Sequence, residues 1–307
     1  MSKILVTGGA GFIGSHLVDK LVELGHSVLV LDNLSNGKKE NVNKKAELHI
    51  VDICDFDTMN LYFKDIDFVF HLAALPRVLI SVEDPIGTSK VNIMGTINVF
   101  EASKRGGVKR VINTSSSSVY GNQKTLPLKE DMAPNPVSPY GLQKWVGEKW
   151  AKIYTDIYNL PVVSIRPFNV YGTRIDVNSD YSLVLGRFLK QKSLGNPLPI
   201  NGDGEQTRGY CFVGDLVKAF IKAMESQKIK GGEVINAGSD KSYSINYLAD
   251  LIGGEKVYGP ERPGDIRHTQ ADVSLAKELL DWEPKTDFKQ GVEETIRWFN
   301  KQMKNEK

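Results

Sequence analysis

Six short runs rich in Val, Ile and Leu recur along the chain up to Gly172: KILVTG, HSVLVLDN, ELHIVDI, DFVFHLAA, RVINTSSSSV and LPVVSIRPFNV. None shows a sustained alternation of apolar and polar residues, which is what a strand buried on both faces looks like. Helix-length amphipathic stretches separate them, such as FIGSHLVDKLVELG, which closes at Gly25. Parallel strands joined by right-handed helical crossovers satisfy this rhythm, so the predicted fold is α/β, a doubly wound parallel sheet.

Beyond Gly172 the rhythm changes. PLPINGDGEQTRG is rich in Gly, Pro and Asn and reads as loop. Short helical patterns follow in DLVKAFIKAME, INYLADLI, SLAKELL and FKQGVEETIRWFNKQ. This part looks too small for a sheet core of its own. We expect a main domain over 1–172 and a smaller C-terminal substrate-binding lobe over 173–307, covering the crevice at the strand ends. The boundary leaves room for the chain to re-enter the main sheet around 205–238.

Composition excludes several classes. Of 307 residues, 41% are hydrophobic and the net charge is +2 with both signs interspersed, so no nucleic-acid partner is expected. Cys54 and Cys211 lie far apart and imply no disulfide framework, and the five histidines lack metal-ligand spacing, so no metal is expected. No apolar run reaches the length of about 18 residues that a membrane span needs, and with no positively charged prelude or cleavage site before the first strand no leader is expected. The expected setting is reduced and cytoplasmic.

The first strand runs into GGAGFIG and then a helix. A pyrophosphate against a helix N-terminus meets free N–H groups and the positive end of the dipole, and the turn must lack side chains to let it close. Two registers fit: Gly9, Gly11 and Gly14, or Gly8, Gly11 and Gly14. In either, Phe12 and Ile13 open the helix. This makes the sheet Rossmann-type and predicts a dinucleotide. Asp32 ends the second strand 18 residues after Gly14, where a carboxylate would accept from the adenosine ribose hydroxyls. It would repel a 2′-phosphate, and Asn33 follows in place of an arginine, so NAD is expected. Asp52 and Ile53 at the end of the third strand, and His71, Leu72, Ala73 and Ala74 at the end of the fourth, are expected to face the same crevice.

Two residues carry the predicted chemistry. Tyr140 and Lys144 are four apart at the start of a long helical pattern, so they share a face. An adjacent ammonium and a cationic nicotinamide would favour the phenolate, making Tyr140 a base near neutral pH. Lys144 could also hold the nicotinamide ribose. A second Y-x-x-x-K, Tyr120 with Lys124, spans the turn residues Gly121 and Asn122 and is set aside. The fifth strand exits into four serines, Ser115 to Ser118, whose hydroxyls can relay a proton between a substrate and the tyrosine.

Taken together, TGGAGFIG, VLDNLS, HLAA, NIMGTINVFEAS, SSSSVYG, SPYGLQK, RPFNVYG, GDGEQTRGYCFV and RPGDIRH resemble the extended short-chain dehydrogenase/reductase family, end to end. That family contains the NAD-dependent nucleotide-sugar epimerases and dehydratases. The resemblance favours Gly8, Gly11 and Gly14 as the glycine register. It implies Ser116 as the catalytic hydroxyl beside Tyr140 and Lys144, and Asn92, Ser115 and Pro167 near the nicotinamide. It implies Ser117, Asn169, Arg208 and Arg262 toward a sugar nucleotide, Asp265 on its ribose, and Pro199 and Asn201 in a loop along the uracil. Thr269 would wall the sugar pocket. The family's dehydratases and decarboxylases carry acids where this chain has Ser117 and Ser118, so 4-epimerisation of a UDP-hexose is favoured. Thr269, being small, points to UDP-N-acetylglucosamine and UDP-N-acetylgalactosamine, with UDP-glucose and UDP-galactose beside them. A UDP-glucuronate 4-epimerase, another nucleotide-sugar reductase or decarboxylase, and a non-catalytic NAD sensor are the alternatives. TSKVNIMGTINVFEASKR and PYGLQKWVGEKWAKIYTDIY resemble the family's interface helices, so a homodimer is implied. The segment with Arg77 and Ile80, Gly186, and Gly209 depart from the family pattern.

Overall fold

The computed structural model describes residues 1–177, 183–261 and 266–305. In its first half, β1 (Lys3–Thr7), α1 (Phe12–Glu23), β2 (Ser27–Asp32) and β3 (Glu47–Ile50) lead to α2 (Phe56–Asn60) and β4 (Phe68–His71). Next come α3 (Val78–Glu83), α4 (Pro85–Ser89), α5 (Thr96–Arg105), β5 (Arg110–Thr114), α6 (Pro139–Tyr158) and β6 (Val162–Pro167). The chain continues through β7 (Val170–Tyr171), α7 (Val184–Ser193), β8 (Leu198–Asn201), β9 (Thr207–Arg208), β10 (Cys211–Phe212), α8 (Val213–Glu225) and β11 (Val234–Ala237). It ends with β12 (Tyr243–Ser244), α9 (Ile245–Ile252), β13 (Lys256–Gly259), β14 (His268–Thr269), α10 (Ser274–Leu280) and α11 (Phe288–Asn305).

Seven strands form one parallel sheet in the order β11-β6-β5-β4-β1-β2-β3. The chain runs outward from β1 to β3 and then crosses back to place β4 beside β1. That reversal opens a crevice at the carboxyl ends of β1 and β4. Side chains of each strand go alternately to the two faces. Ile4, Val6, Val28 and Val30 bury against α1 and α8, while Leu5, Leu29, Leu31 and Val69 bury against α5 and α6. Each such side chain contributes roughly 1.5–3 kcal/mol when fully buried. This two-sided burial is why the runs read as continuously apolar.

Two boundaries differ from the sequence reading. The third strand stops at Ile50, before Asp52 and Ile53, because Asp52 Oδ1 accepts the Cys54 N–H and turns the chain out of the ladder. NIMGTINVFEAS is not one even helix. Lys90–Gly95 forms a π-helical turn between α4 and α5, a form that often marks functional positions.

The C-terminal part does build small ladders. β7 pairs with β10, β8 with β13, and β9 lies between β12 and β14. Their core is an aromatic stack, with Phe288 lying 4.3 Å from Tyr243 and 4.7 Å from Tyr210 by ring centroid. Aromatic area replaces the wide sheet face that this segment is too short to make.

Candidate active site

Gly8 leaves β1 with φ +74°, and a Cβ there would lie 2.6 Å from the Ala73 nitrogen of the neighbouring strand exit. A Cβ on Gly14 would collide with the Gly8 carbonyl oxygen, so Gly14 lets α1 lie against the turn. A Cβ on Gly9 would come 2.6 Å from Val30 Cγ1. Gly11 is different. Its nearest obstruction is the Gly8 oxygen at 3.3 Å, and it stands at the N-cap of α1 with no side-chain cap. The packing of the chain thus explains Gly8, Gly9 and Gly14, while Gly11 leaves a side-chain-free opening at an uncapped helix start. That opening, followed by Phe12 and Ile13, fits a pyrophosphate.

Asp32 lies at the end of β2, buried, its Oδ2 accepting the Ala10 N–H at 2.9 Å and its Oδ1 the Leu34 N–H at 2.8 Å. The carboxylate is therefore oriented by the glycine turn itself, with lone pairs to spare for hydroxyl donors. Asn33 donates to Asp52 Oδ2 at 3.2 Å, tying the ends of β2 and β3. Ile53 is buried against Gly95, and its carbonyl accepts from Asn98. Leu72 and Ala73 leave β4 bonded to Thr7 through backbone and hydroxyl, and Ala74 follows. This set fits a dinucleotide such as NAD along the ends of β1, β2 and β4.

At the same crevice α6 begins. Ser138 caps it by accepting the Gly141 N–H, and Pro139 occupies its first turn. The Tyr140 N–H donates to Ser81 Oγ at 3.0 Å, pinning the helix start to α3. The Ser116 hydroxyl is near enough to the Tyr140 phenol to favour its ionised form. Burial pushes the phenol above its usual pKa, and the Ser116 hydroxyl and the Arg77 guanidinium pull it back. The sequence reading expected a lowered value. In the chain alone burial wins, and Lys144 Nζ stands 6.0 Å from the ring centroid. Lys144 donates to the Thr114 carbonyl at 2.8 Å. Burial lowers its pKa to about 8, with Glu148 acting in the opposite sense.

The serine row divides by role. Ser115 is buried and donates to Glu148. Ser116 Oγ accepts the Ser118 N–H at 3.1 Å and so is aimed by the short turn Ser117–Val119. Asn92 is buried within the π-helical turn. It accepts the Leu75 N–H at 2.8 Å and donates to the Leu75 carbonyl and to Gln143, holding the loop after β4. Tyr120, the tyrosine set aside, is fully buried and donates to Asn236 Oδ1 at 2.7 Å.

Pro167 ends β6 beside Ala237. Two residues on, Asn169 adopts φ +37° and opens a cavity of about 210 Å³ that also meets Pro199, Asn201, Arg208 and Tyr210. Asn169 Nδ2 donates to the Gly209 carbonyl at 3.0 Å and to Thr269 Oγ1 at 3.2 Å. Gly209 has the Ser239 and Thr269 carbonyl oxygens 3.1 and 3.3 Å from a virtual Cβ, so an acid there would face two carbonyls. Arg262 and Asp265 lie outside the described residues.

Residues 4–238 match the NAD dependent epimerase/dehydratase family. The chain belongs to that family. Its cofactor is NAD, and it is an enzyme by kind. Among similar proteins is the UDP-glucose 4-epimerase of Mycolicibacterium smegmatis, 39% identical over 97% of this chain and 98% of that one. The Thermotoga maritima UDP-glucose 4-epimerase, solved with UDP-glucose, superposes with TM-score 0.94 at 40% identity, covering 98% and 99% of the two chains. The Methanobrevibacter ruminantium UDP-N-acetylglucosamine 4-epimerase, solved with UDP-N-acetylmuramic acid, gives TM-score 0.93 at 40% identity with the same coverage.

Four residues of this epimerase/dehydratase site were given no role from the sequence. Glu148 continues the spacing Tyr140, Lys144 on one helix face, a signal that was available. Arg166 and His71 carried none, since their partners come from other elements, α6 for Arg166 and β1 and α5 for His71. Arg77 enters α3 with φ +147°, its Nη2 3.8 Å from Asp176 Oδ2 and its charge felt at Tyr140.

Proposed function

We propose that this chain interconverts UDP-N-acetylglucosamine and UDP-N-acetylgalactosamine, and also UDP-glucose and UDP-galactose, by 4-epimerisation. The coarser reading, an NAD-dependent 4-epimerase acting on a UDP-sugar, rests on the family and on relatives near 40% identity over nearly the whole chain. The choice of acetylated sugars rests on one observation. Thr269 is a small, buried residue whose hydroxyl accepts from Asn169, which lines the cavity.

Tyr140 takes the proton of the sugar 4-hydroxyl, with Ser116 as the relay between them. Lys144, fixed by Thr114, keeps a positive charge beside the site. NAD, when bound, supplies a hydride acceptor and donor for carbon 4. Gly8, Gly11, Gly14 and Asp32 would hold its pyrophosphate and ribose. Asn169, Pro199, Asn201 and Arg208 would hold the nucleotide diphosphate. Binding energy must reside there, because the 4-keto sugar has to turn over between the two half-reactions. An acetamido group on carbon 2 sweeps extra volume during that turn, and Thr269 leaves it room.

A product assay with UDP-N-acetylglucosamine, UDP-glucose and UDP-glucuronate side by side tests the reading. Thr269→Tyr is expected to cut kcat/KM on the acetylated pair by at least tenfold while sparing the other pair. Equal loss on both pairs, or no acetylated activity in the unaltered enzyme, defeats it. A homodimer belongs to the same proposal, because α6 exposes Leu142, Ile153 and Ile157 along one side next to exposed Met94.

A further inference from the structure

Tyr140, Lys144 and Glu148 occupy successive turns of one face of α6, and both Lys144 and Glu148 are buried. The Glu148 carboxylate accepts Nε and Nη2 of Arg166, each at 2.7 Å, and the Ser115 hydroxyl. Arg166 comes from β6 and Ser115 from the end of β5. The Arg166 guanidinium also lies 4.5 Å from the Tyr120 ring centroid, whose hydroxyl is anchored on β11. Such a buried ion pair is expensive to desolvate and gains little over an apolar pair of the same size. Stability alone does not account for it.

We propose that Glu148 is a positioning residue for the reaction. Held by Arg166 and Ser115, it sets the rotation and height of α6 against the ends of β5 and β6, and presents Lys144 with its one nearby negative charge among the described residues. The groups facing Lys144 are Tyr140 and Glu148 from α6, His71 from β4, the Thr114 carbonyl of β5 and, beyond Glu148, Arg166 of β6. His71 is neutral at working pH, and Glu148 is the group that favours the ammonium against burial. Without that charge, burial acts unopposed and lowers the Lys144 pKa further.

The proposal rests on the 4-epimerase reading only for its kinetic assay. The test compares kcat and KM from pH 6 to 10 for the enzyme as it stands and for Glu148→Gln, Glu148→Asp and the double variant Glu148→Gln/Arg166→Met. Glutamine is expected to move the alkaline limb of kcat about one unit toward acid, an opposite charge within reach being worth that much. KM for the UDP-sugar stays within about twofold, because Glu148 lies away from the substrate cavity. Aspartate keeps the charge and restores the limb, though the protein melts lower. The double variant removes the Arg166 charge that the single one leaves unpaired, so it folds even where the single one does not, and shows the acid shift as well. A limb that stays in place in the glutamine and double variants, with only melting affected, overturns the proposal. If no UDP-sugar is epimerised at all, the functional reading fails separately. The Lys144 side-chain titration, followed by NMR and assigned with Lys144→Met, then decides: a lower pKa in Glu148→Gln supports the proposal, and an unchanged one overturns it.

Discussion

Lys144 is held as a cation where water scarcely reaches. Its pKa falls from 10.5 to about 8 on burial, a difference of roughly 3 kcal/mol between the two protonation states. Below pH 8 the folded chain bears that cost, and the unfolded chain does not. Between about 8 and 10.5 the folded lysine is neutral while the unfolded one stays charged, so stability rises with pH across that window. In NAD-free protein at pH 7, Lys144→Met is therefore expected to melt a few degrees higher while losing activity, the gain being trimmed by the lost bond to Thr114. Thermal melts at pH 7 and 10 check this; the advantage should shrink at the higher pH. A variant that melts lower at pH 7 contradicts it.

At the level of elements, the crevice depends on joints between strand ends and helices. His71, the last residue of β4, bonds Thr7 of β1 at 2.8 Å and Thr96 of α5 at 3.0 Å, and is fully buried. Burial, with a smaller push from Lys144, lowers its pKa to about 3. Unfolded, the imidazole takes a proton below about 6.5; folded, it resists until about 3. Stability is thus expected to fall by about 1.4 kcal/mol per pH unit as pH drops through that window. Urea titrations at pH 7.5, 6 and 5 should show a shallower decline for His71→Asn than for the unaltered chain, from a lower starting stability. Parallel declines would assign the acid sensitivity elsewhere. The π-helical turn is a second such joint, since Asn92 reaches from it to the loop after β4 and to Gln143 on α6.

At the scale of the whole molecule, the side of the sheet covered by α5 and α6 exposes apolar side chains. Ile86 is 83% exposed, Ile157 61% and Met94 52%, all on the helices that flank the sheet on the α5–α6 side. A second copy packing there would form a helix bundle across a two-fold axis. Light scattering at micromolar concentration is expected to report a dimer, and Ile157→Glu to shift it toward monomer. A monomer at that concentration in the unaltered protein removes the proposal.

The parallel sheet was legible because strands buried on both faces cannot be written with polar residues. The glycine turn was legible because backbone must pass within contact of backbone, as Gly8 does against Ala73. Tyr140 and Lys144 were legible because helical periodicity alone puts them together. By itself, then, the sequence determined the sheet, the turn and the helix face that holds the tyrosine and lysine. The folded chain alone decided that Glu148 takes Arg166, that His71 joins Thr7 to Thr96, and that Asn169 meets Thr269 across 100 residues. These pairings obey no period, because a buried polar group takes whichever partner the chain crossings bring within reach and must take one.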